Sequence, residues 1–177
     1  MQPKVIWYTG LPCSGKTTNA KLLVKRLREE KNFPIVLLDG DEIRNLMSTG
    51  IEGFTKEDRR RHLDRIGNLS LLLLKQGLWV VCSFVSPEKE QRQRIRKVIE
   101  NHTKGGFIEV YMKTTWQNCA SRDTKGMWKK AINGEIKEFT GYSAPYDVPE
   151  KPEITIDPML LLEENVQKVF ARVTQNG

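Results

Sequence analysis

The segment KVIWYTGLPCSGKTT, residues 4–18, constrains this chain more than any other. An apolar, β-branched run gives way to Gly10, and the residues from there to Lys16 and Thr17 fit G-x-x-x-x-G-K-[ST]. Successive backbone N–H groups can turn inward around phosphate oxygens only where glycines permit so tight a path, and the helix that follows adds the positive end of its dipole. The segment therefore predicts a strand, a phosphate cradle and a helix in immediate succession. The cradle comprises Gly10, Leu11, Pro12, Cys13, Ser14, Gly15, Lys16, Thr17 and Thr18. Lys16 is placed to reach the β and γ phosphates of a nucleoside triphosphate, and the Thr17 hydroxyl to ligate Mg²⁺. A chance Gly/Lys turn at a helix start is the bland alternative, but it does not require strand, lysine, threonine and helix together. Cys13 reads as a small tolerated side chain, although a helix N-terminus is also where a reactive thiol can arise.

The rest of the chain repeats the first alternation. PIVLLD (34–39), LWVVCSF (78–84), FIEVYMK (107–113) and EITID (153–157) read as further strands, and their unbroken apolar character predicts a parallel sheet buried on both faces. Helices are expected over residues 17–30, 56–77, 87–102 and 160–173. The first carries a stripe of Ala20, Leu23, Val24 and Leu27. The second is entered at Thr55 with Asp58 three residues on and is stopped by Gly77, and Pro87 suits the first turn of the third. The fold class is thus α/β: a three-layer α/β/α P-loop nucleoside-triphosphatase domain, resembling nucleotide kinases, with a five-stranded parallel sheet and a lid. Residues 1–177 are expected to form one domain, since a chain of this length supplies one sizeable core and hardly two. The segment from Asp123 to Pro152, rich in Lys, Gly and Pro, reads as too irregular for a core element and is assigned to a lid spanning approximately 122–152.

A second feature, PIVLLDGDEIR (34–44), sets Asp39 and Asp41 one residue apart at the end of an apolar run. Strand ends in a doubly wound sheet face one crevice, so both carboxylates are expected to close the second strand and point at the γ-phosphate. Asp39 is assigned to the metal side, with Thr17, and Asp41 to accepting the proton of an attacking hydroxyl. An Asp-Gly turn with a helix-capping Asp is the structural reading of the same residues. Arg44, one turn on, is placed to hold an anionic group of the acceptor. A Walker B strand is the other reading of IVLLD, but the chain has no N-K-x-D guanine motif and is short for a mechanical ATPase.

Composition narrows the setting. The net charge of +7 favours polyanionic ligands. No run of 18 apolar residues and no signal-peptide pattern is present, so a cytoplasmic protein with no membrane contact is expected. Cys13, Cys82 and Cys119 have no metal-ligand spacing, and an odd count suggests no disulfide framework. Nucleic acid is not expected as a partner, because no RNP, KH or zinc-finger pattern accompanies the charge.

GLPCSGKTT, LDGDEIR, GFTKEDR, SFVSP, RDTKGMWKKA and EIKEFTGYSAPYDVPEKPEI follow one another in an order and at a spacing that resemble the adenylylsulfate (APS) kinase family, from about residue 4 to about residue 157. The resemblance implies a homodimer that transfers the γ-phosphate of MgATP to the 3′-hydroxyl of adenosine 5′-phosphosulfate, giving PAPS for sulfate activation. By the same resemblance Phe54 and Phe139 sandwich the acceptor adenine, and Arg44 and Arg59 hold the phosphosulfate end. Val85 and Ser86 match the acceptor-side loop. Ser86 is a candidate catalytic residue because some family members have had this serine proposed as a phosphorylated intermediate, although in-line transfer needs no covalent step. Arg122, Lys125 and Lys130 match the lid, where cations neutralise charge on the phosphoryl group; Arg122 and Lys125 fall to ATP and Lys130 to the acceptor. His62 occupies a place where the family usually has an acceptor-contacting Asn.

The chain also departs from the pattern. Glu42 stands where the family commonly has Asn, the stretch between Arg44 and Phe54 is one residue longer than usual, and Asp64 replaces an Arg. These positions leave a second reading open: a related kinase whose acceptor is another nucleotide or a conjugate of the CDP-phosphoramidate type. A nucleic-acid-binding or end-modifying P-loop protein is the third, and it predicts steep salt dependence.

Overall fold

The computed structural model describes residues 1–47 and 56–175. The expected strands are β1 (Val5–Thr9), β2 (Ile35–Asp39), β3 (Trp79–Ser83), β4 (Phe107–Met112) and β5 (Ile154–Ile156). They form one sheet in the order β2-β3-β1-β4-β5, and every neighbouring pair is parallel. β1 is central and entirely buried. Alternation along it assigns side chains to two cores. Ile6 and Tyr8 join α1 (Lys16–Lys31) and α7 (Leu162–Thr174), whereas Val5 and Trp7 join α3 (Lys56–Lys75) and α4 (Lys89–Glu100). Helices on both faces explain why the strands read as continuous apolar runs.

The helix boundaries follow from local chemistry. α1 begins behind Gly15, whose φ of 88° is open to glycine at little cost, and its stripe of Ala20, Leu23, Val24 and Leu27 is buried in the first core. α3 ends where Gly77, at φ 81°, donates its N–H to the Leu74 carbonyl at 2.9 Å, while the Leu78 N–H reaches Leu73 at 3.2 Å. α3 and α4 approach closely at Gly67, where a Cβ would lie 3.0 Å from Ile95 Cγ1. The expected entry to α3 at Thr55 lies outside the described residues.

Three expectations need correction. Asp39 ends β2, but Asp41 does not close the strand with it, because α2 (Gly40–Met47) begins at once. Pro87 stands two residues before α4 rather than in its first turn, for Glu88 is the N-cap. The segment from 123 to 152 is not too irregular for a core element. It contains α6 (Met127–Ile132), packs against α5 (Trp116–Ala120), and builds a third buried cluster from Cys119, Trp128, Ala131 and Phe139. Trp128 is fully buried, and large aromatic rings dominate such small cores.

Candidate active site

The carboxyl ends of β1, β2 and β3 converge on one crevice. Gly10, at φ 151°, must lack a side chain, because a Cβ there would stand 2.9 Å from Met112 Cβ. Cys13 takes φ 61°, a left-handed turn that helps the loop close on itself. The Lys16 ammonium lies inside the cradle and donates to the Gly10 carbonyl at 3.0 Å and the Leu11 carbonyl at 2.7 Å. Burial lowers its pKa to about 8. An amine desolvated at the centre of a phosphate cradle recovers favourable charge pairing when phosphate oxygens replace those carbonyls.

Thr17 donates its hydroxyl to Asp39 Oδ2 at 2.7 Å and lies 3.3 Å from the Ser83 hydroxyl. Asp39 is buried, and its Oδ1 accepts the N–H groups of Asp41 at 3.1 Å and Glu42 at 3.4 Å. Asp39 therefore caps α2 while presenting its second oxygen to Thr17, so the capping contact and the expected metal-side placement are compatible in one carboxylate. A hydroxyl and a carboxylate oxygen, side by side at the helix start, form a hard donor pair that fits Mg²⁺. Among the described residues no group of three or more His, Cys, Asp or Glu is placed to hold a metal.

Asp41 is exposed on the first turn of α2 and is ion-paired with Lys125 of the lid, whose pKa the Asp41 carboxylate raises. A second bridge joins the lid to the body: Arg59 Nη2 lies 3.7 Å from Glu138 Oε2, next to Phe139. Phe139 is 7% exposed and meets Trp128 edge-on, with ring centroids 4.8 Å apart. The Trp128 indole N–H donates to the Pro12 carbonyl at 3.1 Å, and Gly141 abuts Leu11 so tightly that a Cβ would come within 2.4 Å of its Cδ2. The lid is thus seated directly on the phosphate cradle. Asp123 supports the seat. Its two oxygens cap α6 by accepting the N–H groups of Met127 at 3.0 Å and Lys129 at 3.1 Å, and the Cys13 thiol donates to Oδ1 at 3.9 Å. Burial and the Asp123 carboxylate raise the Cys13 pKa, so a reactive thiolate is not favoured.

The remaining candidates are spread around the crevice. Val85 accepts the Gly10 N–H at 3.4 Å and the Thr9 hydroxyl at 2.8 Å through its carbonyl. Ser86 is buried at φ 44°, and its hydroxyl accepts the Trp7 indole N–H at 3.0 Å. His62 is buried on α3 with its ring 6.1 Å from that of Phe84, and Asp64 reaches across to Arg94 at 3.6 Å. Arg122 donates to the Pro158 carbonyl at 3.1 Å. Arg44 and Lys130 are exposed on α2 and α6. Phe54 falls outside the described residues. Sequence reasoning singled out none of Trp128, Thr9, Tyr146 and Glu138 individually, although three of them fall within quoted motifs; the hydroxyls of Thr9 and Tyr146 meet at 2.9 Å, and the crowding of aromatics in 128–146 was the signal for a packed lid.

The family model for adenylylsulphate kinase matches residues 2–157. A probable adenylyl-sulfate kinase of Aeropyrum pernix is 42% identical over 170 residues, covering 96% of this chain and 91% of that protein. An adenylyl-sulfate kinase of Thermodesulfovibrio yellowstonii is 47% identical over 152 residues, covering 86% of this chain and 74% of that protein. Among solved structures, the Mycobacterium tuberculosis APS kinase CysC in complex with AMPPNP and APS matches with a TM-score of 0.90 at 35% identity, covering 98% of this chain and 99% of that one.

Proposed function

The chain belongs to the adenylylsulphate kinase family, and from that membership we propose that it moves the γ-phosphate of MgATP to the 3′-hydroxyl of adenosine 5′-phosphosulfate, forming PAPS and ADP. The observation that carries the reading is the pairing of lid Lys125 with Asp41 beside the Thr17–Asp39 contact. It brings the acceptor carboxylate, the phosphate cradle and a lid cation to one place. The readings with a different nucleotide acceptor or with nucleic acid draw no comparable support. Asp64, one of the departures behind them, is engaged by Arg94 at 3.6 Å.

In this account Gly10 to Thr18 wrap the triphosphate, and Lys16 exchanges the Gly10 and Leu11 carbonyls for β and γ oxygens. Thr17 and the Asp39 side would hold Mg²⁺, which would supply charge neutralisation to the triphosphate. Asp41 accepts the 3′-hydroxyl proton as the new O–P bond forms and the bond to the β-phosphate oxygen breaks, so that ADP leaves. Lys125 moves from Asp41 toward the transferred phosphoryl group, with Arg122 on the ATP side and Lys130 on the acceptor side. Arg44 and Arg59 hold the phosphosulfate, Arg59 trading Glu138 for it. Phe54 and Phe139 carry the adenine, with His62 behind the same wall. Val85 and Ser86 shape the acceptor side, and the Ser86 hydroxyl, committed to Trp7, is assigned to that wall rather than to a phosphorylated intermediate. One domain over 1–177 with a lid over 122–152, working as a homodimer in the cytoplasm, completes the proposal.

ADP release measured with adenosine 5′-phosphosulfate beside a panel of other 5′-nucleotides and conjugates tests it. Turnover selective for the phosphosulfate is expected. A stronger signal from another acceptor would assign residues 45–64 to a different substrate.

A further inference from the structure

Behind the acceptor-side wall lies a network of charges centred on Arg92, which none of the motifs includes. Arg92, in the first turn of α4, is 3% exposed. Its Nε donates to Glu109 Oε1 at 2.8 Å, Nη1 to the Ser86 carbonyl at 2.7 Å and the Pro87 carbonyl at 3.1 Å, and Nη2 to the Asp147 carbonyl at 2.6 Å. One guanidinium thereby joins β4, the loop after β3, and the returning end of the lid. Only a planar fork with several fixed N–H donors can serve acceptors in so many directions.

The network extends outward from its buried pair. Glu109 also lies 3.4 Å from Arg96 Nη2, and Arg96 grips Glu153 with both nitrogens at 2.6 and 2.8 Å and lies 3.3 Å from Glu100 Oε1. The buried Arg92 thus has a carboxylate partner, as burial requires, and the half-buried Arg96 continues the chain of charges toward the surface. The segments it joins need holding. Ser86 sits at φ 44°, a conformation that costs most residues energy and persists only when its surroundings impose it. Asp147 is bound to the same loop twice more, through its N–H to the Pro87 carbonyl at 2.9 Å and through Oδ2 to the Lys89 N–H at 3.0 Å.

We infer that Arg92 is a positioning residue for the acceptor: it fixes the separation between the wall at Val85–Pro87 and the lid return at Tyr146–Asp147, and with it the width of the acceptor crevice. The inference rests on the acceptor assignment made above. None of the four Arg92 acceptors belongs to Gly10–Thr18, and a single 3.4 Å bond from the Gly10 N–H to the Val85 carbonyl joins cradle backbone to wall, so ATP binding is expected to be nearly independent of Arg92.

Arg92→Lys keeps the charge but cannot span the four acceptors. With the full chain, it should raise the KM for adenosine 5′-phosphosulfate tenfold or more while the dissociation constant for AMPPNP stays within twofold. Equal changes in both, or a fall in melting temperature with the ratio of the two unchanged, would mean a merely structural role and overturn the inference. If Arg92→Lys does not fold, Glu109→Gln, which keeps Arg92 and its carbonyl contacts, should give a smaller shift in the same ratio; no shift overturns the inference. Hydrogen exchange supplies a readout that needs no acceptor: the amides of Val85, Ser86, Tyr146 and Asp147 should exchange faster in the variant, with those of Ser14 to Thr18 unchanged. Equal protection in variant and wild type would refute the positioning role. Wild-type turnover with the phosphosulfate is the control, and its failure would overturn the substrate assignment alone.

Discussion

Lys16 and Asp41 hold opposite positions in the same crevice, one buried against loop carbonyls and the other exposed under a lid lysine, and their chemistry differs accordingly. Burial brings the Lys16 pKa from 10.5 down to about 8. Below that pH the ammonium is already charged, and MgATP affinity should be flat; above it, binding must take up a proton, so the dissociation constant should rise toward about tenfold per pH unit. Calorimetric titrations at pH 7 and 9 would measure this. The same depression makes the folded chain bind fewer protons than the unfolded chain between the two pKa values. The cost to stability is therefore fully present below about 8 and is relieved as pH rises toward the unfolded value. For Asp41→Asn, loss of the proton acceptor should lower kcat by about 10² to 10⁴ while AMPPNP affinity stays within about twofold. Unchanged turnover would remove Asp41 from the mechanism. Most of this was legible in the residues, because the motif from Gly10 to Thr17 and the Asp pair have fixed spacing. The double engagement of Asp39 was not, since the sequence presents capping and a side facing Thr17 as rivals and the fold gives one carboxylate both contacts.

The lid is the element where sequence reading was least informative. Its Lys, Gly and Pro residues suggested an irregular cover, yet Trp128 and Phe139 bury a small core on the cradle itself. Periodicity is unreadable over so short a helix as α6, and the packing partners Leu11 and Pro12 lie more than a hundred residues away. Gly141→Ala should unseat this contact. Its φ of 88° disfavours any Cβ, and the new atom would press on Leu11, a combined cost of about 1–3 kcal/mol. Faster proteolysis within 133–148 and a raised acceptor KM are expected. Adding Leu11→Ala should restore part of both, because it removes the clash and leaves the strain. Trp128→Phe keeps an aromatic side chain but loses the bond to Pro12 and part of the buried volume, and should destabilise the lid by about 1–3 kcal/mol as read by exchange of its amides.

Across the whole molecule, the strands and main helices could be placed from apolar runs and their spacing, but the order β2-β3-β1-β4-β5 could not. Pairing between strands is nonlocal: Val36 lies opposite Val80, and Val5 opposite Phe107, and nothing in those residue types selects one neighbour over another. The network of Arg92, Glu109, Arg96 and Glu153 was hidden for the same reason, since its members look like ordinary solvated charges until three separate segments meet. Among the described residues no helix is long and apolar enough to cross a membrane. A homodimer predicts a sedimentation mass of twice the 20.4 kDa chain at micromolar concentration, and a single-chain mass there would contradict it. The most direct test of the central claim follows the phosphate itself. With γ-labelled ATP, Mg²⁺ and adenosine 5′-phosphosulfate, the label should appear on the 3′-oxygen of the acceptor, one per ADP formed. Label recovered as inorganic phosphate, or on the protein, would contradict direct transfer to that hydroxyl.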